Sequence, residues 1–354
     1  MDTQPREAIV KDSVRALLAG AIDYAGLFPP SQLAMSEAVL NYATYRNSNY
    51  AWMLGRFVVT AARLDEFYES AADFIERDAG DRWHIAVVAG EDIVETLKQV
   101  ELFNLRHGEQ ALCDVLEVRA NSVSKIENTV NGLRSGTTAY FEIPTGESMP
   151  DLVAALAERG QRAKIRTGGI TPEAFPTPAE IVRFVRTCLA ANVPFKATAG
   201  LHHPLRCFRP LTYEEESVMG RMHGFLNLFL MTGFAREGFR SNVLEDVMEE
   251  EFDEVFRFEP QSVTWRDFSL NVAQLESLRQ KASSPSAHAH STNRWRICRN
   301  SEFYKSFARE TRETYEIKER ELPPLPCPRE YGIIVQNCLS YFASFRVFRG
   351  QKFL

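Results

Sequence analysis

The chain has few cysteines, and they are not arranged in pairs. Six cysteines are scattered over 354 residues, and no CxxC pair occurs among them. Such scattering indicates neither a disulfide framework nor a zinc knuckle, and reduced thiols are typical of a cytosolic protein. The sequence therefore predicts a cytoplasmic location.

Long apolar runs are missing as well. No stretch approaches the roughly 18 consecutive apolar residues that a membrane-spanning helix needs. Residues 1–14 (MDTQPREAIVKDSV) mix acidic and basic side chains without an apolar run, so they do not resemble a secretory signal. Neither a membrane span nor a secretory signal is expected.

Several motifs of well-known enzyme classes are also missing. The sequence contains no P-loop, no GxGxxG opening a helix, no GxSxG elbow and no HExxH helix. These absences argue against an enzyme that binds a nucleotide cofactor through one of the common motifs, and against a zinc protease of the HExxH class. The formal net charge of -6 argues against a general nucleic-acid binder, because such domains usually present a basic face.

The sequence does contain a repeated strand and helix pattern. Short runs rich in β-branched and aromatic residues alternate with helix-patterned stretches, at a spacing of roughly 25 to 30 residues. This rhythm predicts a parallel sheet in an α/β fold, a (β/α)8 TIM-type barrel. The predicted strands are residues 21–27, 55–59, 84–88, 115–118, 139–143, 163–166 and 195–199.

Apolar spacing and end signals predict the helices between these strands. Residues 91–107, 150–160 and 177–191 are well-signalled examples, the last with Thr177 as its N-cap. After the seventh strand we expect one long helix over 213–237, an acidic helix over 242–252, a hairpin from 256–259 and 262–265, and a helix over 271–281. An eighth strand should follow.

The sequence after residue 282 does not contain a strand pattern of that kind. Residues 283–354 are rich in Arg, Ser and Pro, include PPLPCP at 323–328, and lack the strand and helix rhythm. We therefore divide the chain into a barrel domain, 1–282, and an atypical extension, 283–354. Two interpretations stay open: a poorly ordered, solvent-exposed extension, or a shift of reading frame near residue 283 that replaced the eighth strand. Codons for residues 287–299 exist that encode a strand, a loop and a helix start in a shifted frame.

Four long motifs carry a resemblance to a known family. They are IDYAGLFPP at 22–30, KIRTGG at 164–169, FKATAGLHH at 195–203 and MHGFLN at 222–227. With them the chain resembles an uncharacterised bacterial family of (β/α)8 barrels over about residues 15–280. The resemblance implies the fold and its extent, and no reaction.

Lys196 is the first candidate for chemistry. Active sites of such barrels form at the carboxyl ends of the strands. A lysine inside an apolar strand loses hydration, which favours the neutral, nucleophilic amine. FKATAG also resembles the K-T-S-T-G lysine strand of deoxyribose-phosphate-type class I aldolases, departing at Ala197 and Ala199. The alternative is a structural lysine paired with Glu142 or Glu117 across the barrel.

A second candidate is the anion site at KIRTGG. Lys164 and Arg166 alternate along one strand and face the same side, which predicts a cationic floor for a carboxylate or phosphate. The loop of Thr167, Gly168 and Gly169 follows directly, and its backbone N–H groups can turn onto an anion. A plain turn is the alternative for TGG.

Histidines and further strand-end residues complete the candidate site. His202 and His203 follow the seventh strand, and because adjacent residues on an extended backbone diverge, we expect one of them to act as the acid or base. His223 is expected to be a packing residue. The remaining candidates for substrate binding are Asp23, Tyr24, Arg56, Glu117 and Arg119.

The functional prediction is an aldolase-like lyase that acts on a small anionic carbonyl compound. Lys196 would form an imine, and Glu142, His202 or His203 would move protons. No cofactor is needed. One alternative is a divalent-metal lyase or isomerase with Glu117, Glu142 and a histidine as ligands and Lys196 as base. Another is a non-catalytic anion-binding or scaffold protein. The expected partner is a small anionic metabolite, not nucleic acid or a membrane, and a homo-oligomer is compatible with the sequence.

Overall fold

A computed structural model of the chain describes residues 10–77 and 81–280. The extension, 283–354, and the position expected for an eighth strand lie outside these residues. Within the described ranges, no helix has the length and apolar character needed to cross a membrane.

Seven parallel strands form the main sheet, and their order in space is their order in the chain. All seven predicted strands are confirmed, with shifted ends. They are β1 (Ile22–Tyr24), β2 (Leu54–Thr60), β3 (Trp83–Val88), β4 (Ala111–Arg119), β5 (Thr138–Glu142), β6 (Arg162–Arg166) and β7 (Phe195–Thr198).

Helices alternate with these strands. They are α1 (Asp12–Leu18), α2 (Met35–Arg46), α3 (Leu64–Arg77), α4 (Ile93–His107), α5 (Val123–Gly132), α6 (Met149–Glu158) and α7 (Pro178–Ala190). Thr177 is the N-cap of α7 as predicted, in a capping box with Glu180. Because parallel crossovers are right-handed, a sheet in chain order places its crossover helices on one face.

The other face of the sheet is on the inside, because the sheet curls and brings its two edges towards each other. The ammonium of Lys196, on the edge strand β7, lies 3.6 Å from a carboxylate oxygen of Asp23 on the opposite edge strand, β1. Two side chains from the two edges can meet only if the sheet curls. The architecture is thus a curled, seven-stranded parallel sheet with an outer helical layer.

The chain changes character after β7. The elements there are β8 (Cys207–Pro210), β9 (Met219–Met222), α8 (Phe225–Arg236), α9 (Ser241–Glu249), β10 (Phe256–Glu259), β11 (Ser262–Trp265), β12 (Phe268–Asn271) and α10 (Val272–Gln280). The predicted hairpin is confirmed and gains β12 as a third strand. α10 packs against α1 and α8, which joins the two ends of the described chain.

The single helix predicted over 213–237 is wrong. Residues 219–222 pair with β8 as an antiparallel strand, and the helix begins only at Phe225. Gly220 explains part of this, since a Cβ at that position would lie 2.6 Å from the side chain of Leu211. The apolar pattern continues through MHGFLN and predicts a helix there, but the contact between Gly220 and Leu211 favours the strand.

Two apolar clusters lie on the two faces of the sheet. The larger one fills the space between sheet and helices and includes Phe57, Trp83 and Leu116. The smaller one lies inside the curled sheet and is formed by Val58, Ala86, Val115 and Tyr140. Side chains of alternate strand residues enter the two clusters, as the two-residue period of a strand requires.

A bulge interrupts that period in β4. Ile85 pairs with Cys113 and the next residue, Ala86, pairs with Val115, so Asp114 is an extra residue in the strand. Cys113 belongs to the outer cluster and Val115 to the inner one. Asp114 also turns inward, because its carboxylate binds Arg56.

Candidate active site

A cavity of about 700 Å³ opens at the carboxyl ends of the strands. Charged and polar side chains of β1, β4, β5, β6 and β7 line it, together with the loops that follow them. Its lining includes Asp23, Phe28, Pro29, Pro30, Glu91, Glu117, Arg119, Lys125, Glu142, Lys164, Arg166, Gly169, Thr198, Ala199 and His202. The peptide bond between Pro29 and Pro30 is cis.

Two buried lysines share one carboxylate at the floor of this cavity. Lys164 Nζ donates to Glu117 Oε2 at 2.7 Å, and Lys196 Nζ donates to Glu117 Oε1. All three side chains are less than 10% exposed, at 8%, 4% and 5% for Lys164, Lys196 and Glu117. Lys164 and Lys196 are register partners on neighbouring strands, so the pairing of β6 with β7 sets them side by side.

The network continues on both sides of Glu117. Lys164 Nζ lies 2.7 Å from Glu142 Oε2, and Arg119 Nε lies 3.5 Å from Glu142 Oε1. On the other side Lys196 reaches Asp23. Cations and carboxylates therefore alternate across the floor, and the charges of the six side chains balance.

These pairings change the protonation of the central groups. Burial alone would raise the pKa of Glu117, but the charges of Lys164 and Lys196 hold it well below its usual range. Burial would lower the pKa of Lys164, but the carboxylates of Glu117 and Glu142 raise it above that of a free lysine. Both groups are thus ionised at neutral pH.

The surroundings of Lys196 combine the two interpretations made from the sequence. It lies inside the curled sheet in contact with Glu117 and 3.6 Å from Asp23, which both line the cavity, but it is not itself a lining residue. It also pairs with a carboxylate across the sheet, as a structural lysine would, with Glu117 rather than Glu142. The ring of Tyr140 lies beneath its ammonium, 4.8 Å from Nζ to the ring centroid, in cation–π geometry.

The cationic floor expected from Lys164 and Arg166 is not what the structure has. Glu117 and Glu142 neutralise Lys164, so its charge is already satisfied. Arg166 faces the cavity from the rim, is exposed, and has no hydrogen bond or ion pair to any described residue. The cationic character open to a ligand therefore lies at the rim, where Arg119 and Lys125 also line the cavity.

The TGG loop has a packing role that the sequence did not reveal. Thr167 is fully buried, and its hydroxyl donates to the carbonyl of Ala199 at 2.7 Å. A Cβ on Gly168 would lie 2.7 Å from the Cα of Gly200 and 2.4 Å from the ring of Phe175. Glycine at these two positions lets the loops after β6 and β7 touch. Only Gly169 of the three lines the cavity.

The loop after β7 enters the cavity in a left-handed conformation. Ala199 has φ 65° and Gly200 has φ 70°. Glycine adopts this conformation readily, whereas alanine does so at a cost of about 1–2 kcal/mol. Strain of this kind is concentrated at functional sites, and Ala199 is a lining residue of the cavity.

The two adjacent histidines diverge. His202 lines the cavity, whereas His203 turns away and its carbonyl accepts a hydrogen bond from the backbone of Phe225. Burial, with the nearby charge of Arg209, lowers the pKa of His203 to about 4. His223 is buried beside Phe175 with its Nε2 2.7 Å from the carbonyl of Pro176, the packing position expected for it.

Two candidate residues lie away from the cavity. Tyr24 is buried in the outer layer against Tyr42 and Phe57, because it alternates with Asp23 along β1. Arg56 faces inward but lies near the amino end of β2, where it forms two 2.6 Å hydrogen bonds with Asp114. The structure separates both from the strand-end residues.

Arg56 belongs to a second charge cluster, which is partly buried: the amino-end cluster of Arg56, His84 and Asp114. His84 Nδ1 lies 2.9 Å from Asp114 Oδ2, the oxygen that also accepts a hydrogen bond from Arg56 Nη2. Burial would raise the pKa of Asp114, but the hydrogen bonds from His84 and Arg56 lower it to about 2. The sequence prediction missed Asp114 and His84, because candidates were sought at the carboxyl ends of the strands and these two lie nearer the amino ends of β4 and β3.

Two further residues were also missed, Lys125, which lines the cavity, and Tyr140, whose ring lies beneath Lys196. Tyr140 carried a usable signal, since it alternates with Glu142 and so shares its inward face. Lys125 carried none, because it lies in the first turn of α5 and reaches the cavity only through the fold.

The carboxylates that could bind a metal ion already form ion pairs. The carboxylates of Glu117 and Glu142 already contact lysine ammonium groups. In the part of the chain that the structure describes, no group of three or more His, Cys, Asp or Glu side chains is placed to hold a metal ion.

Comparison with known proteins adds no relative to this description. Neither the models of known protein families nor the curated proteins give a match to the chain. The site is therefore interpreted from its own geometry.

Proposed function

We propose that the protein is an aldolase-like lyase that forms an imine between Lys196 and a small anionic carbonyl compound. The observation that carries this proposal is the pair of buried lysines on one carboxylate, Glu117, which lines the floor of a cavity whose rim carries Arg166, an arginine without a partner among the described residues. Lysine is the nucleophile that carbonyl chemistry uses, and the cavity supplies the room.

The neighbours of Lys196 supply the other steps. The lysine must lose a proton before its nitrogen attacks the carbonyl carbon, and Asp23 or water in the open cavity accepts it. The carbonyl oxygen then takes up protons and leaves as water. Lys164 remains charged beside the reacting carbon and stabilises the developing negative oxygen. Glu142 and His202, which both line the cavity, are placed to move protons; His203 is not.

The rim of the cavity suits an anionic group. Arg166 offers a guanidinium without a described partner, and Arg119, which is 83% exposed, contacts Glu142 only at 3.5 Å. A guanidinium can bind a carboxylate or phosphate through two parallel hydrogen bonds. An anion at the rim would leave the carbonyl end of the same molecule pointing towards the floor.

We further propose that an eighth strand closes the curled sheet into a (β/α)8 barrel. A side-chain bridge between β1 and β7 supports this, since the two edges come within about two strand spacings. The motifs that resemble those of the uncharacterised bacterial barrel family agree with it. We also propose a cytoplasmic location, which suits the scattered cysteines. Amide hydrogen exchange tests closure: slow exchange along both outer edges of β1 and β7 is expected, and fast exchange there contradicts a closed barrel.

A non-catalytic anion-binding protein is the second candidate. The ion pairs favour it, because a lysine held between carboxylates is a poor nucleophile until it loses its proton. A divalent-metal lyase has less support, because lysines occupy the carboxylates that would bind the ion.

Borohydride trapping of the full chain tests the imine. The protein is incubated with small aldehydes, keto acids and sugar phosphates, reduced, and examined by peptide mass spectrometry. A substrate-dependent adduct on Lys196 that is lost in Lys196→Arg is expected. The matched control is Lys98→Arg, an exposed lysine on α4. No adduct with any carbonyl compound, or an adduct on Lys164 alone, contradicts the proposal. Binding of phosphate without an adduct supports the anion-binding alternative.

A further inference from the structure

A second cavity, of about 630 Å³, adjoins the first one. The two cavities share three lining residues, Arg119, Glu142 and Arg166. Pockets of about 300 to 1,000 Å³ hold drug-sized ligands, so either cavity alone exceeds the need of a small carbonyl compound. The shared arginines therefore stand at a junction, and the second cavity offers room for another part of the same ligand.

One carboxylate in the second cavity has no described partner. Glu173 lines this cavity and makes no hydrogen bond or ion pair with a residue in ranges 10–77 and 81–280. The other carboxylates there are engaged. Glu142 contacts Lys164 and Arg119, and Glu180 accepts hydrogen bonds from Thr177 and Thr145. Arg166 and Glu173, both exposed and both without a partner in the described ranges, thus face the same space.

Tight packing sets the position of Glu173. It lies in the turn Pro172–Ala174, directly after the TGG loop. A Cβ on Gly169 would lie 2.8 Å from the Cβ of Ala174, so the turn rests against the glycine backbone. The turn also packs against β9. The backbone that carries Glu173 is therefore held at a defined place relative to Arg166.

We propose that the ligand is zwitterionic, with its anionic group on Arg166 at the junction and an ammonium group on Glu173 in the second cavity. This inference rests on the anion site of the proposed function and adds a charge requirement to the substrate. It selects carbonyl compounds that also carry an amine over those that carry only a carboxylate or phosphate.

Three simple probes test the charge requirement by calorimetry at low ionic strength. They are inorganic phosphate, ethyl phosphate and phosphoethanolamine, which differ in the arm attached to the phosphate. An ion pair of partly exposed groups contributes up to about 1 kcal/mol, so phosphoethanolamine should bind about fivefold more tightly than ethyl phosphate. Glu173→Gln should abolish that preference without weakening the binding of ethyl phosphate.

The control variant is Glu158→Gln, an exposed carboxylate at the opposite end of the sheet, at the end of α6. It should keep the fivefold preference. Equal affinities for ethyl phosphate and phosphoethanolamine overturn the zwitterion proposal and leave the anion site intact. If no phosphate compound binds, or if Arg166→Ala binds them as well as the wild type does, the anion site itself is wrong and both proposals fail.

Discussion

The inside of the curled sheet holds two charge clusters, one buried and one partly buried, and they are built differently. At the amino end Asp114 binds the guanidinium of Arg56 through two short hydrogen bonds and is completed by His84. At the carboxyl end lysines, not arginine, contact the central carboxylate, Glu117. The inner apolar residues Val58, Ala86, Val115 and Tyr140 lie between them.

The difference lies in what the cations can do. A guanidinium binds a carboxylate through a rigid, planar fork and stays charged, so it makes a durable structural pair. An ammonium is a point charge on a flexible stem and can change partner or lose its proton. Burial of charge alone does not mark an active site; a buried lysine that faces a cavity is the better indicator.

Glu117→Gln should have the largest effect on stability. It leaves Lys164 and Lys196 without their shared carboxylate, and breaking a buried pair in this way costs about 3–5 kcal/mol. Urea denaturation at pH 7 measures the loss. Because the pKa of Glu117 is lowered on folding, its contribution is complete above the pKa of an unfolded glutamate and is lost as the pH falls towards its folded value. The difference between wild type and variant should therefore shrink in acid.

A double variant tests whether the loss of stability comes from the buried ammonium charges. Glu117→Gln leaves the two ammonium groups with one carboxylate each, Glu142 for Lys164 and Asp23 for Lys196. Adding Lys164→Met removes one of these two buried charges and should recover part of the lost stability. A single variant within about 1 kcal/mol of the wild type would contradict the central role of Glu117.

Asp114→Asn should cost less and should leave the cavity unaffected. The pKa of Asp114 falls from 3.8 to about 2 on folding. That shift corresponds to about 2 kcal/mol, present above about pH 4 and lost as the pH falls towards 2. Urea denaturation at pH 7 and pH 3 measures it, and the variant should lose this acid sensitivity. Calorimetry with phosphate should give the wild-type affinity; a weakened affinity would mean that the two clusters are coupled.

Tyr140→Phe should have the smallest effect, because it removes a neutral hydroxyl and leaves the ring and every charged group in place. The hydroxyl of Tyr140 accepts a hydrogen bond from Arg162 at 3.2 Å, while its ring lies beneath Lys196. Losing the hydroxyl should cost about 1 kcal/mol in urea denaturation and should leave borohydride trapping unchanged. Tyr140→Leu removes the ring as well. If both variants trap equally well, the ring has no role in positioning Lys196.

Much of the sheet could be predicted from the sequence, because strand and helix periods are local signals. The seven apolar runs became seven strands, and Thr177 became a cap. The strand-end residues Glu142, Lys164 and Lys196 came together because they are register partners in a parallel sheet in chain order.

The rest depends on contacts that a single sequence does not display. On the short strand β1 nothing local decides whether Asp23 or Tyr24 faces inward. Lys164 looks like a free cation until the fold brings Glu117 to it. The glycines of TGG look like an anion cradle until Gly168 is seen against Gly200. In each case the deciding partner comes from another strand or loop.

The bulge at Asp114 also decides which way the second half of β4 faces. If the strand continued in its initial phase, Leu116 and Val118 would enter the interior and Glu117 would join the helix layer. The bulge therefore brings Asp114 and Val115 inward in succession, and Glu117 then faces its two lysines. Deletion of Asp114 would remove the amino-end cluster alone, because Val115 would then follow Cys113 in regular alternation and Glu117 would still face inward. A substitution at position 114 would likewise spare the cluster at the cavity.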